Sequence, residues 1–515
     1  METVQVAEAS APSPSAVRPQ TRTRSAAVFA VTLLTLLGAG LRFWRIGHQS
    51  FWYDEALTFD LVHHTFGQML TLVKHTNGEP PLYFALAWIW VRIFGVSEAG
   101  LRSLSAVAGV AAIPVIYGTG VRLASRRAGL IAAALIACNP LLIWYSQEAR
   151  SYSLLIFTSA LSLLAFAHLL TPRPSPGWLA TWTLAAILAP ASHYYAALII
   201  VPEGIWLVWI HRRSPAMWLA VCVGGAVGVL LIWFATGQPS ASWIPSAPLS
   251  LRLGQIAPQF LLGFGAPARV WLKIAGAVAL LVASVILLRG DVRERQGARV
   301  VGALAAAAVI LGLLLIVAGF DRTITRNLIP LLLVLVLLVA IGLGARRAGV
   351  LGLTGAAVLC AVGVIAAVGV AEDVSLQRPA WGALGARLEA DRPARAQGAI
   401  VYEDSDSTLP IADYVHGLRW LFFGAPVEEV DVVAADRVPS NSFCWWGAAC
   451  SLSPAPLDTT VTLPGFHPVG PVIHVDEFAI YRLRAARPVV VTRPEVAKAL
   501  SHAALTSYGL FAQSP

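Results

Sequence analysis

The stretch PLYFALAWIWVRIFG, residues 81–95, decides the topology of this chain. It is apolar, but it is shorter than the ~20 residues that a helix needs to cross a bilayer. It also contains Arg92 and begins at the second residue of the Pro80–Pro81 pair. Whether this stretch crosses decides on which side of the membrane every later loop lies.

The composition indicates a polytopic membrane protein. Hydrophobic residues make up 57% of the 515 residues and charged residues 13%, whereas a soluble domain has roughly 25% charged residues. The mean hydropathy is +0.69. Eleven apolar runs have about the length of a span: 25–45, 101–121, 128–145, 152–170, 177–192, 194–210, 216–235, 268–288, 300–319, 328–345 and 348–370.

Four arginine-rich loops orient these spans: Arg122–Arg127, Arg212–Arg213, Arg289–Arg299 and Arg346–Arg347. Basic loops favour the cytoplasm, so the net charge of +9 does not indicate a nucleic-acid partner. If 25–45 runs outward and 81–95 does not cross, all four loops fall inside; if 81–95 crosses, all four fall outside. We therefore predict an interfacial or re-entrant helix at 81–95 and a cytoplasmic N-terminus. Arg42 and Arg45 flank the outer end of the first span and oppose this orientation, but they are outnumbered.

Three regions follow from this pattern. Residues 1–24, rich in Ala, Ser and Pro, are predicted to form a disordered cytoplasmic tail. Residues 25–370 form an all-α transmembrane domain whose first outer loop is 48–100. Residues 371–515 are predicted to form a small extracytoplasmic α/β domain, because the strand-like runs GAIVYE (398–403) and EFAIYRL (477–483) accompany the helix-like run WGALGARLEA (381–390). In that domain Cys444 and Cys450 either form a disulfide or are two buried thiols.

The stretch FWYDEALTFD, residues 51–60, places Asp54 beside Glu55 among aromatic residues at the outer end of the first span. Acidic residues stabilise helix N-termini, so the pair could cap a surface helix. Alternatively, the aromatic rings hold a functional carboxylate near the lipid headgroups. Both interpretations remain open at this point.

Further polar motifs fall on the same predicted outer face. They supply these candidates: Glu79 and Tyr83 in NGEPPLYF, Arg102, Gln147, Glu148 and Arg150 in YSQEARSY, His193 and Tyr194 in ASHYY, and Arg326 in TITRN. Single arginines at a span end often snorkel to the interface, but two or three together suit a phosphate headgroup. Glu79 lies near His63, His64 and His75 in sequence, without the fixed spacing of a metal site.

Taken together, these residues resemble the GT-C superfamily of membrane glycosyltransferases, in the branch of protein O-mannosyltransferases and aminoarabinose transferases. The resemblance covers the chain up to about residue 370. It is carried by these residues in this order: Asp54–Glu55, Pro80–Tyr83, Arg102, Ser146–Arg150 followed by Tyr152, His193–Tyr195 and Arg326.

The resemblance implies a polyprenyl-phosphate sugar donor, an acceptor outside the membrane, and transfer with inversion. Asp54 would be the catalytic carboxylate with Glu55 as its support, and Arg102, Arg150 and Arg326 would face the lipid phosphate. The substrate would be contacted by Tyr53, Tyr83, Gln147, Glu148, His193 and Tyr194. Relatives often have Lys or His where Glu79 stands. Either another cation takes the role of that Lys or His, or a divalent metal joins Glu79 to the phosphate.

The chemistry of such a transfer agrees with these residue types. A carboxylate that accepts the proton of an attacking hydroxyl contributes roughly 10²–10⁴-fold, and a phosphate monoester with a second pKa of about 6 can leave without a general acid. Glycosidases use two separated carboxylates, which Asp54 and Glu55 are not. Mannose is the first expectation for the sugar, and a pentose is the second. The expected acceptor is a protein, a lipid or a cell-envelope glycan. The alternatives are a transporter or lipid flippase, and a scaffold whose outer domain binds a partner.

Overall fold

A helical membrane domain followed by a mixed α/β domain makes up the computed structural model. The structure describes residues 18–76, 78–238, 243–390, 398–402, 409–421, 423–435, 457, 459–501 and 509–513. Cys444, Cys450 and the acidic residues Glu403, Asp404 and Asp406 therefore lie outside the described residues, as does the tail up to residue 17. The all-α membrane domain and the small C-terminal α/β domain are confirmed.

The helices of the membrane domain follow one another with short connections. They are α1 (Arg18–Phe43), α2 (Tyr53–His63), α3 (Phe66–Thr76), α4 (Leu82–Phe94), α5 (Glu98–Leu123), α6 (Arg126–Cys138), α7 (Pro140–Ser146), α8 (Tyr152–Leu169), α9 (Pro176–Ser192), α10 (Ala197–Ile210), α11 (Pro215–Ala235), α12 (Trp243–Ser246), α13 (Leu249–Leu262), α14 (Arg269–Leu288), α15 (Val292–Val317), α16 (Ile329–Gly344) and α17 (Gly349–Glu372).

Most of the predicted spans correspond to long apolar helices. Within the described residues, eight helices are long and apolar enough to cross a membrane, and the bent pair α6–α7 makes a ninth. The helices α9 and α10 occupy the two remaining predicted positions but are shorter. The number of eleven crossings therefore stays a prediction.

The stretch at 81–95 forms the short helix α4, whose 13 residues fall short of a full crossing. It ends at Gly95, whose φ of 80° is accessible to glycine at little cost. One face, including Tyr83 and Phe84, is buried in the first loop, whereas Ile89 and Ile93 on the other face are exposed. This amphipathic pattern fits the predicted interfacial helix.

The break between α6 and α7 explains the buried Arg42. Pro140 has no N–H, so the carbonyl four residues before it, at Ile136, has no helical donor. Arg42, 1% exposed on α1, donates to the carbonyls of Ile136 and Ala137 at 3.0 Å and to the hydroxyl of Ser146 at 3.1 Å. Arg42 is therefore a structural ligand of the broken helix and does not count as a loop charge against the predicted orientation.

Contacts between loops divide the helix ends into two faces. On one face, the arginine-rich loops meet: the carboxylate of Glu294 accepts from the backbone N–H of Arg346 at 2.8 Å, and Arg127 donates to the carbonyl of Gly349. The other face contains the first loop, the α7–α8 turn, His193 and the segment before α16. This grouping of loops matches the one inferred from the arginines; which face is cytoplasmic stays a prediction.

In its described residues, the C-terminal domain is built on a seven-stranded mixed sheet in the order β2-β7-β1-β3-β6-β4, with β5 also paired to β6. Its strands are β1 (Gly398–Tyr402), β2 (Leu418–Trp420), β3 (Ala425–Ala434), β4 (His467–Pro468), β5 (Ile473–Val475), β6 (Phe478–Val491) and β7 (Gly509–Gln513), and its helices α18 (Trp381–Ala390), α19 (Leu409–Tyr414) and α20 (Arg493–Ser501). The runs predicted as strands correspond to β1 and β6, and the predicted helix is α18.

The C-terminal domain packs against the first loop of the membrane domain. The hydroxyl of Tyr414 on α19 donates to Glu98 at 2.9 Å and accepts from the backbone N–H of Phe51 at 2.6 Å. The backbone N–H of Gly382 donates to the hydroxyl of Ser50 at 2.9 Å. The domain is therefore held directly beside the residues that begin α2.

Candidate active site

The helix α2 carries Asp54 and Glu55 in its first turn, where carboxylates are favoured by the helix dipole. Successive helix residues point about 100° apart, so the two side chains face different surroundings. The side chain of Glu55 is 0% exposed and that of Asp54 is 15% exposed. The pair is therefore divided into one interior carboxylate and one accessible carboxylate.

Glu55 is held in a buried clamp by Arg102 of α5. The Nε and Nη2 atoms of Arg102 donate to the two carboxylate oxygens of Glu55, each at 2.7 Å, and the backbone N–H of Ala149 donates at 2.8 Å. Burial alone would raise the pKa of Glu55, but the nearby guanidinium groups outweigh burial and lower the pKa. Glu55 is thus an ionised structural group.

The clamp corrects the prediction that Arg102 faces the lipid phosphate. The remaining N–H groups of Arg102 donate to the carbonyls of Ile46, Gln49 and Ser50, so all five of its donors are used within the protein. Arg102, 1% exposed, has no donor left for a lipid phosphate. Glu55 is enclosed by the same clamp and has no access to substrate, so it is not a second catalytic carboxylate, and its support of Asp54 stays a prediction.

Asp54 and Arg326 form the accessible charged pair of this face. Nη1 of Arg326, which lies just before α16, donates to Oδ2 of Asp54 at 2.9 Å, and both side chains are 15% exposed. The guanidinium of Arg326 also lies over the ring of Tyr152, 5.9 Å from its centroid. The structure thus brings together the carboxylate expected to act as base and a cation expected to bind phosphate.

Arg150 and Glu79 form a second pair next to it. Nη2 of Arg150 donates to Oε1 of Glu79 at 2.7 Å, and the hydroxyl of Ser151 donates to Oε2 at 2.9 Å. Burial raises the pKa of Glu79, but Arg150, His193 and Ser151 outweigh burial and bring the pKa below its usual value. Nη1 of Arg150 also reaches the backbone carbonyl of Asp54 at 3.3 Å, which links this pair to the first.

Glu79 does not fit the expected metal site. Both of its oxygens already accept hydrogen bonds from Arg150 and Ser151, and the charge of Arg150 balances that of the carboxylate. Across the part of the chain that the structure describes, no three His, Cys, Asp or Glu side chains converge to hold a metal ion. Glu79 therefore has a cation of the chain as its partner, and a metal at this position stays a prediction.

Three residues expected to contact substrate have structural partners. Tyr83 is 0% exposed and its hydroxyl bonds to Ser105 at 3.0 Å. Gln147 donates to the carbonyls at the end of α1, including that of Trp44 at 2.8 Å. Glu148 is buried and accepts from Trp144 at 3.1 Å. The burial of Tyr83 and Glu148 argues against a direct substrate contact. Gln147 is half-buried and engaged at the end of α1, and its substrate contact stays a prediction.

Arg378 is a residue of this site that sequence reasoning missed. It follows α17 in the linker to the C-terminal domain, and its guanidinium lies 3.5 Å from Glu55 and 3.3 Å from Glu148. Burial raises the pKa of Glu148 to about 7, against the opposing charge of Arg378, and Oε1 of Glu148 has no hydrogen-bond partner among the described residues. An arginine in a linker carries no sequence signal that would connect it to residues more than 200 positions earlier.

His193, Tyr194 and Tyr53 border the same region. Burial lowers the pKa of His193 to about 4, so the imidazole is neutral at pH 7. Tyr194 donates to Gln238 at 2.9 Å, and Gln238 donates to the carbonyl of Glu79 at 2.6 Å. Tyr53 begins α2 and is half-buried. A substrate contact by these three residues stays a prediction.

Arg322 is a second cation that sequence reasoning did not single out. Its backbone N–H donates to the hydroxyl of Tyr195 at 3.1 Å, and its charge is one of those that lower the pKa of the buried His193. Its side chain is half-buried, and within the described ranges no carboxylate pairs with it. It therefore provides positive charge on the same side of the site as Arg326.

Comparison with known proteins supports the resemblance predicted from the motifs. Residues 78–235 match the family model described as dolichyl-phosphate-mannose-protein mannosyltransferase. This match supports a membrane glycosyltransferase of the GT-C type, although it includes neither Asp54 nor Arg326. No curated protein matches the chain.

Several solved structures are similar at low identity. ArnT from Cupriavidus metallidurans bound to undecaprenyl phosphate is 13% identical, with 90% of this chain and 98% of that chain covered and a TM-score of 0.46. The S. cerevisiae protein O-mannosyltransferase Pmt1-Pmt2 complex bound to the sugar donor is 16% identical (41% and 33% covered, TM-score 0.33). AglB from Archaeoglobus fulgidus with an inhibitory peptide and a dolichol-phosphate is 14% identical (72% and 59% covered, TM-score 0.44). This chain spans a third of the Pmt1-Pmt2 chain and less than two thirds of AglB.

Proposed function

We propose that this chain is an integral-membrane glycosyltransferase that moves a sugar, with mannose as first expectation, from a polyprenyl-phosphate donor to an extracytoplasmic acceptor with inversion. The observation that carries the proposal is the accessible Asp54–Arg326 pair beside the buried Glu55–Arg102 pair, whose guanidinium donors are all used within the protein. The family match over residues 78–235 supports the transferase class. The donor lipid, the sugar and the orientation are parts of the proposal.

In this proposal Asp54 accepts the proton of the attacking hydroxyl. The acceptor oxygen attacks the anomeric carbon while the bond from that carbon to the phosphate oxygen breaks, so one displacement inverts the centre. The proton passes from the hydroxyl to a carboxylate oxygen of Asp54, and the electron pair leaves with the polyprenyl phosphate. A carboxylate in this role contributes roughly 10²–10⁴-fold.

Arg326 holds the donor phosphate, with Arg322 as the second cation. In the structure Arg326 is bound to Asp54. The donor, a phosphate diester with one negative charge, offers the forked guanidinium two oxygens for a bidentate pair. This contact draws Arg326 away and leaves Asp54 free to accept a proton. Donor binding would thereby prepare the base for the acceptor, and Arg102 has no part in this step.

Donor binding by purified variants tests the phosphate assignment. Arg326→Ala should weaken binding of a radiolabelled polyprenyl-phosphate sugar by at least tenfold, and Arg326→Lys should restore it only in part because the fork is lost. Arg252→Lys is a matched control, since Arg252 lies on the same face but is paired with Asp321 through two bonds of 2.5 and 2.8 Å. Unchanged donor affinity in Arg326→Ala would contradict the assignment.

One residue favours the transporter or flippase alternative. Glu203 on α10 is 0% exposed, well inside the helix bundle, where its carboxyl group bonds to Trp182 at 2.9 Å and Ser162 at 3.4 Å. The other candidate residues all fall on the predicted outer face, whereas Glu203 does not. Acidic groups within spans often mark transport pathways. Full sugar transfer by Glu203→Gln would remove this support for the alternative, whereas lipid translocation without transfer would establish it.

A further inference from the structure

A groove lies between α14 and α17 on the face where the arginine-rich loops meet, opposite the Asp54–Arg326 pair. Its volume is about 440 Å³. Aliphatic side chains, among them Leu281, Val285 and Leu351, line it, and Arg289 and Arg347 lie at its end. The groove is therefore apolar along its length and cationic at one end.

The dimensions of the groove match one leaflet of a bilayer. The residues from Leu281 to Arg289 rise about 12 Å along α14 at 1.5 Å per residue, and half of a hydrocarbon core of about 30 Å is about 15 Å. Leu281 is 64% exposed and Leu351 57%, so the groove is open to the surrounding lipid. An acyl chain in the groove would end near the two guanidinium groups.

The two arginines are brought together by the fold. Nη1 of Arg347, before α17, donates to the backbone carbonyl of Arg289 at 3.4 Å, just past the end of α14. No carboxylate pairs with either guanidinium within the described ranges. The closest acids in sequence, Asp291 and Glu294, are engaged in a capping box at the start of α15. The positive charge at the end of the groove is thus left for a ligand.

We propose that this groove binds an anionic phospholipid of the leaflet next to the arginine-rich loops. One acyl chain lies against α14 and α17, and the phosphate lies between Arg289 and Arg347. Arginine suits phosphate because its donors form a planar fork, and basic pockets between spans bind anionic headgroups. The site is separate from the proposed donor site, which lies on the opposite face.

Native mass spectrometry of the purified protein tests this site. Delipidated protein is offered an equal mixture of phosphatidylglycerol and phosphatidylcholine with identical acyl chains. The native protein should retain phosphatidylglycerol preferentially, and Arg289→Gln with Arg347→Gln should reduce that preference about tenfold. A matched control, Arg212→Gln with Arg213→Gln, removes the same charge from another loop of the same face and should leave the preference unchanged.

A second variant separates the groove from its charges. Leu351→Trp fills the apolar part of the groove while both arginines remain, so it should reduce retention of both lipids. Equal retention of the two lipids by the native protein, or an equal loss in the control pair, would overturn the proposal. Preferential retention of undecaprenyl phosphate over phosphatidylglycerol, abolished by the Arg289 and Arg347 changes, would also overturn it, because the groove would then be a donor-lipid site.

Discussion

At the scale of single residues, Asp54 is the acid whose replacement tests the chemistry. Asp54→Asn keeps the shape of the side chain and its hydrogen bond from Arg326 but removes the basic carboxylate. We expect a folded protein that binds the lipid donor and transfers sugar at least ~10²-fold more slowly, the low end for a missing general base. Single-turnover transfer with saturating donor measures this, and near-normal turnover would remove Asp54 from the mechanism.

Glu55 should respond to mutation in a different way from Asp54. Glu55→Gln leaves the buried guanidinium of Arg102 without its carboxylate, and breaking a buried pair on one side costs about 3–5 kcal/mol. We therefore expect a large loss of thermal stability and folded yield. Asp60→Asn on the same helix is the control, because the side chain of Asp60 is 58% exposed. Equal melting temperatures for the two variants would show that the clamp contributes little.

The sequence was sufficient to select these residue types but not their partners. Asp54, Arg326, Arg150 and Glu79 all lie together as their common face predicted. Glu55 binds Arg102, which lies 47 positions away in sequence. This pairing depends on the direction in which the side chain leaves the first turn of α2. Arg102 resembled a phosphate ligand because an isolated motif does not show that the arginine is buried or that all five of its donors bond within the protein.

At the scale of helices, local sequence patterns predicted the positions of helices well, but they predicted the breaks within helices poorly. The run 381–390 coincides with α18, since its helical pattern is contained within the segment. The run 128–145 was expected to be one span but bends by 58° between α6 and α7. Its apolar character is uninterrupted, and only Asn139–Pro140 marks the break, which is stabilised by an arginine from α1.

The broken helix should depend on Arg42. Arg42→Met would leave the carbonyls of Ile136 and Ala137 without donors in the bundle, at about 1–3 kcal/mol per unsatisfied group. We expect a lower thermal unfolding midpoint in detergent. Arg45→Met is a close control, because Arg45 lies three residues later on the exposed surface. A midpoint equal to that of the control would indicate that water or other groups satisfy the break.

At the scale of the whole molecule, the C-terminal domain is connected to the candidate site through Arg378. Arg378→Met leaves Glu148 without a cation and removes a second charge from Glu55. We expect lower stability and slower transfer, with both recovered in part when Glu148→Gln removes the unpaired acid. A double-mutant cycle should give a coupling energy of roughly 0.5–3 kcal/mol, as for residues in contact. Additive effects of the two changes would show that the linker and Glu148 act independently.

The contact between the C-terminal domain and the first loop should also depend on pH through Asp413. Burial, together with the charges of Asp60 and Glu98, raises the pKa of Asp413 to about 8; its Oδ2 atom has no hydrogen-bond partner in the described structure. Because the folded state then binds a proton that the unfolded state releases near pH 4, this group makes the docked structure less stable as pH rises from about 4 to 8.

Asp413→Asn removes the charge and should raise the unfolding midpoint at pH 8 while changing it little at pH 5. Hydrogen exchange at α2 and α19 should show faster opening at pH 8 in the native protein than in this variant. The same pH dependence in both proteins would assign the effect to another group, and Glu148, whose pKa of about 7 has the same direction, would be the next residue to replace.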